Sequence, residues 1–368
     1  MILNLYAGPG GVEQGARILD VEEPILGYDI DADACATARA AGFRRSQASV
    51  PQLDPDEFAG VRGVVITSPC PPFSVAGKGS GLREHDQAAL RLAVERLGDA
   101  HAGCCPDDAY AEVYRQVQDD RSALVIEALR FALRLPHVQW VVAEQVPAVA
   151  PLWREMAAEL AAVHDFRYCA VVTLAAEDFG VASRRMRTFL IATRYHTPDL
   201  AGMPMRSWWS CGRFAPPAEH LPNRADVFGP TSMADALGWP ARQWVNTRGN
   251  RRSVGGNEFC ADRPAWCLTE KARSWRRVGD GARLTSSQAG LLVGFPADFA
   301  WQGSRSKQFL QVADVVAPPV AAAVLGAVLG LDWRSAVGVY PERLYPGRRT
   351  AGYVQPELFD ADFERVVA

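Results

Sequence analysis

The chain is 368 residues long with a mass of 40.0 kDa, 48% hydrophobic and 22% charged, at a formal charge of −3. That length suits one large domain with a smaller companion, and the ordinary globular composition excludes a low-complexity or fibrous chain. A near-neutral total neither demands nor excludes a nucleic-acid partner, because a local patch decides that.

In chain order, "MILNLYAG" reads as a short apolar strand ending in glycine, and "GVEQGARILD" as the start of a helix. "EPILGYDI" is a second strand, followed by the helix "DADACATARAAG" with Asp31 placed to cap it. "RGVVITSP" is a strand that runs into a proline turn, and "RSALVIEALRFALRL" has the three-and-four spacing of an amphipathic helix. "QWVVAEQV" is another strand, "PLWREMAAELAAVH" a helix opened by Pro151, and "RYCAVVTL" and "MRTFLIAT" complete the set. This alternation predicts an α/β fold with a doubly wound, mostly parallel sheet over residues 1–195. From 196 to 281 Pro, Gly, Trp and Arg become frequent; "PDLAGMPMRSWWSCGRFAPPAEHLPNRADVFGP" reads as loop, and the expectation is a smaller, loop-rich unit. Residues 282–332 return to helix with "ARLTSSQAGLLVGF" and one long apolar helix, "SKQFLQVADVVAPPVAAAVLGAVLGL", which needs the first domain as its partner. Its prolines and glycines argue against a membrane span, and the tail 333–368 reads as polar turns. "MILNLYAGPGG" turns into a glycine loop too early for a signal peptide. The eight cysteines form no Cys-x-x-Cys pair and no recognisable disulfide framework, so a reduced, cytoplasmic setting is expected. Cys104 and Cys105 are adjacent, which suits a metal poorly; a loop thiol pair is the reading.

Residues with chemistry gather where the strands end. Pro69-Cys70-Pro71-Pro72 can continue neither a helix nor a sheet interior, since prolines lack the backbone donor. It holds Cys70 on a stiff turn at a strand's C-terminal edge, where open α/β sheets bind ligands; a buried structural thiol is the competing reading. Gly8, Gly10 and Gly11 separate the first strand from the first helix, a place where glycine lets a nucleotide approach the backbone. Asp29 ends the second strand, placed either for ribose hydroxyls or as a helix cap. Together they point to a nucleoside-bearing cofactor, without separating NAD from S-adenosylmethionine. Glu144 ends another apolar strand, either sharing a pocket with Cys70 or as a solvated loop acid. Arg184, Arg185 and Arg187 precede the last strand. Arg185 and Arg187 suit a phosphate or carbonyl, or else a charged edge that discourages strand pairing.

Taken in order, seven segments resemble the motifs of the DNA (cytosine-5)-methyltransferases, across nearly all of residues 1–330. They are "NLYAGPGG", "GYDID", "SPCPPFS", "AEQV", "GVASRRMR", "RLTSSQAGLLVGFP" and "KQFLQVADVVAPPVAAAV". The resemblance implies S-adenosylmethionine as cofactor, with Tyr6, Ala7, Gly8, Gly10, Gly11, Asp29, Ile30, Ser49, Pro69 and Asp314 at its site. It implies Cys70 as the thiolate that adds to cytosine C6, Glu144 as the acid holding N3 and N4, Arg187 on O2, and Arg185 near a phosphate. The base must leave the stack to meet them. A free thiol near ~8.5 needs help to ionise, expected here from the arginines or a helix terminus. Residues 196–281 correspond to the target-recognition segment. Between 246 and 277, Arg248, Arg251, Arg252, Arg263, Lys271, Arg273, Arg276 and Arg277 outweigh Glu258, Asp262 and Glu270, which suits phosphate contacts. Trp266 and Trp275 add stacking or packing surface.

Four positions depart from the family pattern. Ser49 stands where an aspartate is usual, Gln145 for an asparagine, Ser183 for a glutamine, and Ala313-Asp314 for Gly-Asn. Asp314 is expected beside the glycine loop, turned away from the cofactor and held by backbone amides or an arginine. The resulting expectation is a monomeric enzyme that methylates C5 of cytosine in double-stranded DNA, in a prokaryotic cell or phage-encoded, with neither metal nor membrane. The alternatives are an RNA (tRNA) cytosine methyltransferase of the same architecture and a catalytically idle DNA-binding relative.

Overall fold

The computed structural model describes residues 1–74, 77, 79–99, 106–163, 165–213, 228–247 and 257–348. Its centre is a sheet of β1 (Ile2–Leu5), β2 (Ile25–Asp29), β3 (Arg45–Gln47), β4 (Gly63–Ile66), β5 (Trp140–Gln145), β6 (Tyr168–Ala175), β7 (Met186–Thr193) and β8 (Met205–Gly212), in the order β3-β2-β1-β4-β5-β7-β6-β8. β1 to β5 pair in parallel; β7 runs antiparallel to both β5 and β6, and β8 antiparallel to β6. β1, β4 and β5 are buried along their whole length, which is why they read as unbroken apolar runs rather than alternating ones.

Helices cover both faces, as a doubly wound sheet requires. They are α1 (Gly11–Ile18), α2 (Ala32–Ala40), α3 (Glu84–Asp99), α4 (Pro106–Gln116), α5 (Asp120–Ala123), α6 (Glu127–Arg134), α7 (Ala150–Val163), α8 (Met233–Leu237), α9 (Ser286–Leu292), α10 (Arg305–Asp314), α11 (Pro318–Leu329) and α12 (Trp333–Leu344). Leu90, Leu97, Leu129, Trp153 and Met156 from α3, α6 and α7 fill one apolar layer. Val12 and Ala16 of α1 meet Val320, Val324, Trp333 and Val337 of α11 and α12 in the other. Asp31 caps α2 by accepting from the Ala34 amide at 2.9 Å, the role its position predicted. A third apolar cluster joins α8, α9 and α10 to an antiparallel sheet of β9 (Trp244–Asn246), β10 (Glu258–Cys260) and β11 (Arg276–Arg277), ordered β10-β9-β11.

Several expectations change. The stretch read as loop contains β8, a half-exposed edge strand on which Trp208 and Trp209 turn to opposite apolar layers. The long terminal helix is two helices: Val315 is extended, and Pro318 and Pro319 open α11, because the backbone before a proline is pushed out of the helical region. Taken end to end, residues 305–329 are long and apolar enough to cross a membrane, but 83% of their most apolar window is buried inside the protein. The supposed polar tail begins with α12, capped by Asp332 and anchored by buried Trp333. α3 and α4 add two helices between β4 and β5. Cys104, Cys105, residues 214–227 and residues 349–368 lie outside the described residues.

Candidate active site

β1 to β5 end at one edge of the sheet, and antiparallel β7 begins there, so turns distant in sequence meet. After β1 the backbone takes positive φ at Tyr6 (57°), Gly8 (51°) and Gly10 (111°). At Tyr6 a side chain makes that conformation costly, on the order of 1–3 kcal/mol, and the Thr67 hydroxyl donates to the Tyr6 carbonyl at 2.9 Å to hold it. The three glycines serve different ends. A Cβ on Gly10 would come within 2.5 Å of the Phe43 ring, and one on Gly11 within 2.2 Å of the Val316 carbonyl, so both are demanded by protein packing. A Cβ on Gly8 would meet nothing within 4 Å, so this is the glycine that borders open space. Asp29 fixes the turn: one carboxylate oxygen accepts from the Gly8 amide and the other from the Asp31 amide, each at 2.8 Å. Ile30, beside it, is 68% exposed, an apolar platform at the strand's end. Ala7 is buried, and Ser49 follows β3 half-buried. An open glycine face, a fixed carboxylate with lone pairs to spare and an apolar platform fit the ribose and base of a nucleoside cofactor.

Cys70 sits on the turn after β4, as the prolines required. Gln145 at the end of β5 pins that turn: its side-chain amide donates to the Ser68 and Pro69 carbonyls at 3.0 and 3.1 Å, and its carbonyl accepts from the Val146 amide at 2.7 Å. The departure from asparagine therefore has a structural role, which sequence comparison registered only as a mismatch. Glu144 is 3% exposed rather than solvated, and its carboxylate pairs with Arg187 Nε at 2.9 Å. Val12, Val65, Val142, Phe189 and Val316 line an apolar pocket that also reaches Glu144. Burial raises the Glu144 carboxyl above its ordinary value, while Arg187 and Arg185 oppose the rise. Desolvation likewise pushes the thiol of half-buried Cys70 up to about 12, with Arg187 acting against it and Glu144 with it. The expected activation by neighbouring arginines is thus outweighed by desolvation. Arg185 is buried, with Nη1 donating to the Ala313 carbonyl at 2.6 Å and Nε and Nη2 without a partner among the described residues. At 3% exposure it is set back from the protein surface. Ser183 is buried where Ala265 accepts from the Arg184 amide at 2.8 Å and donates to the Ala182 carbonyl at 2.9 Å, stitching the smaller unit to the arginine segment.

Asp314 ends α10 within electrostatic reach of Arg185, Arg187, Asp29 and Cys70, and the expected hold by backbone amides or an arginine is not found among the described residues. The side chain is solvent-accessible and makes no hydrogen bond or ion pair to a described residue. Partial desolvation in the cleft pushes its carboxyl up to about 6 although the side chain keeps solvent access, with Arg185 and Arg187 pulling the other way. Among the proposed nucleic-acid contacts, Arg248, Arg251 and Arg252 lie outside the described residues. Lys271 is exposed, and Arg273 is within 3.4 Å of the Glu270 carboxylate. Arg277 is committed to Asp280. Trp275 is buried, edge-on to Phe259, so it packs; Trp266 is 36% exposed and stacked on Phe259 at 5.0 Å.

Residues 1–100, which carry the glycine turn, Asp29 and Cys70, match the family model for C-5 cytosine-specific DNA methylases. No curated protein matches the sequence significantly. The fold is that of solved methyltransferases. A protein from E. coli described as a DNA modification methyltransferase encoded within a prophage aligns at TM-score 0.53 and 15% identity, over 90% of this chain and 98% of its own. Entamoeba histolytica methyltransferase EhMeth aligns at 0.56 and 10%, over 89% and 97%. S. pombe Dnmt2 methyltransferase aligns at 0.55 and 13%, over 89% and 98%. At these identities the likeness is one of fold: the mixed α/β architecture of S-adenosylmethionine-dependent methyltransferases.

Proposed function

We propose that this chain, whose first hundred residues match the C-5 cytosine methylase family and whose fold is a methyltransferase's, transfers a methyl group to C5 of cytosine in double-stranded DNA. The observation that carries the reading is the convergence of Cys70, Glu144 and Arg187 at one sheet edge, beside the open face of Gly8. S-adenosylmethionine, when bound, supplies an electrophilic methyl group; Gly8, Asp29 and Ile30 are suited to hold its nucleoside. Cytosine C5 is a weak nucleophile, so Cys70 adds first: its thiol proton passes to solvent, its sulfur bonds to C6, and the C5–C6 π pair becomes available at C5. Once C5 carries the methyl group, its proton is lost and those electrons re-form the C5–C6 double bond as the sulfur leaves C6. Glu144, held toward its protonated form by burial, donates to N3 as the ring takes up electron density. Arg187 is suited to the ring's O2. Turning Glu144 toward the base also releases Arg187 from its 2.9 Å ion pair, and the freed charge favours ionisation of Cys70. The thiol is thereby activated by substrate rather than in the resting protein. Residues 196–281, with exposed Lys271 and Trp266, are proposed to read the nucleic acid.

Incubation with S-adenosylmethionine labelled in the methyl group, followed by nucleoside analysis of duplex DNA and of tRNA, tests the reading. Labelled 5-methylcytosine in DNA, lost in Cys70→Ser with an unchanged melting curve, is the expected result. Label confined to tRNA selects the RNA enzyme, and none in either overturns the proposal.

A further inference from the structure

Asp314 is suspended between two fixed points. The carbonyl of Ala313, just before it, is gripped by Arg185 at 2.6 Å, and the carbonyl of Val316, two residues on, lies against Gly11. Asp314 is thus held by backbone between the arginine pair and the glycine turn, its side chain accessible and without a hydrogen-bond or ion-pair partner among the described residues. The charged and titratable groups facing it are Arg185 and Arg187 at the start of β7, Asp29 at the end of β2, Glu270 in the 270–274 turn, and Cys70. Arg187 is already committed to Glu144. Asp29 and Cys70 mark the two ends of a path, one suited to ribose and the other to the reacting base. A sulfonium that carries a methyl group from the first toward the second passes between them, and Asp314 is a carboxylate in electrostatic reach of both ends.

We propose that Asp314 is a specificity residue, setting a preference of the cleft for the cationic methyl donor over its neutral demethylated product. This rests on the methyltransferase reading given above. When the methyl group leaves, the bonding electron pair stays on sulfur, so the sulfonium becomes an uncharged thioether. A carboxylate at this point attracts the first and gains nothing from the second; an asparagine treats them nearly alike. The acid thus biases the site against product retention. Because the protein pushes this carboxyl up to about 6, the bias is present at neutral pH and fades as the acid protonates.

Calorimetric titration of S-adenosylmethionine and S-adenosylhomocysteine into wild type and Asp314→Asn, at about pH 7.5 and about pH 5, tests this. The ratio of donor to product affinity should fall about fivefold to tenfold in the variant at the higher pH, the size of one partly screened charge contact, and less than about twofold at the lower. Equal ratios in the two proteins at the higher pH, with both ligands bound, overturn the inference alone. Failure of the wild type to bind either ligand overturns the methyltransferase reading, and this inference with it.

Discussion

A thiol pushed up to about 12 is protonated at neutral pH, so Cys70 rests as Sγ–H until a substrate alters its surroundings. The sign is plain: burial favours the neutral form, and the thiolate fraction grows about tenfold per pH unit until the titration point is reached. Alkylation of Cys70 by iodoacetamide at about pH 8 should therefore run roughly 10²-fold slower than that of an unperturbed peptide thiol. Its lower thiolate fraction is only partly offset by the greater nucleophilicity of a high-pKa thiolate. The rate should keep climbing above about pH 9, where that of the free peptide thiol levels off. A mass-spectrometric time course on the Cys70 peptide reads this, and a rate equal to the free peptide's would remove desolvation as the controlling influence. The turn itself was legible in the sequence, because proline restricts its own backbone and its neighbour's locally. The desolvation of this half-buried thiol was not, since it arises from packing around residues as far away as Glu144 and Arg187. The same holds for Gln145, whose anchoring of two carbonyls appears only once β4 and β5 lie side by side.

The pairing of α1 with α11 shows how close backbone approach depends on missing side chains. A Cβ on Gly15 would lie 2.7 Å from Ala321 Cβ and 2.8 Å from the Ala322 amide nitrogen. In an open helix, glycine to alanine stabilises by about 1 kcal/mol, whereas forcing a methyl into a packed contact costs about 1–3 kcal/mol. Gly15→Ala should therefore lower stability, and the sign of the change in a urea melt decides between the two effects. Elements that follow local rules were legible: the apolar parallel strands, the Asp31 cap, the helices with regular spacing. β3 was not, because Arg45 is buried within it by an ion pair to Glu13 at 2.7 Å, and nothing in "RSQ" announces that partner. β8 was hidden by Arg206 and its serines and by a register shift against β6, and the break between α10 and α11 by an apolar run that looked continuous.

Across the whole molecule, one face of the sheet is covered by residues from both ends of the described chain, with Ile2, Val12 and Ala16 packed among Val320, Val324, Trp333 and Val337. The first hundred residues match the family model but do not hold their own core. A chain cut after residue 303 should lose its single cooperative urea transition and bind a hydrophobic dye, since the α1 face is left bare. A sharp transition near the full-length midpoint would show the N-terminal part to be self-sufficient. The contact of Gly11 with Val316 also has a consequence for synthesis, which proceeds from the N-terminus. Gly8, Asp29, Cys70 and Glu144 leave the ribosome long before residues 313–316, and until those emerge Arg185 has no Ala313 carbonyl to grip and the glycine turn no opposing wall. A nascent chain thus carries the reactive residues without the cleft that organises them, and the centre is assembled only when the last apolar helices fold back onto the first strand.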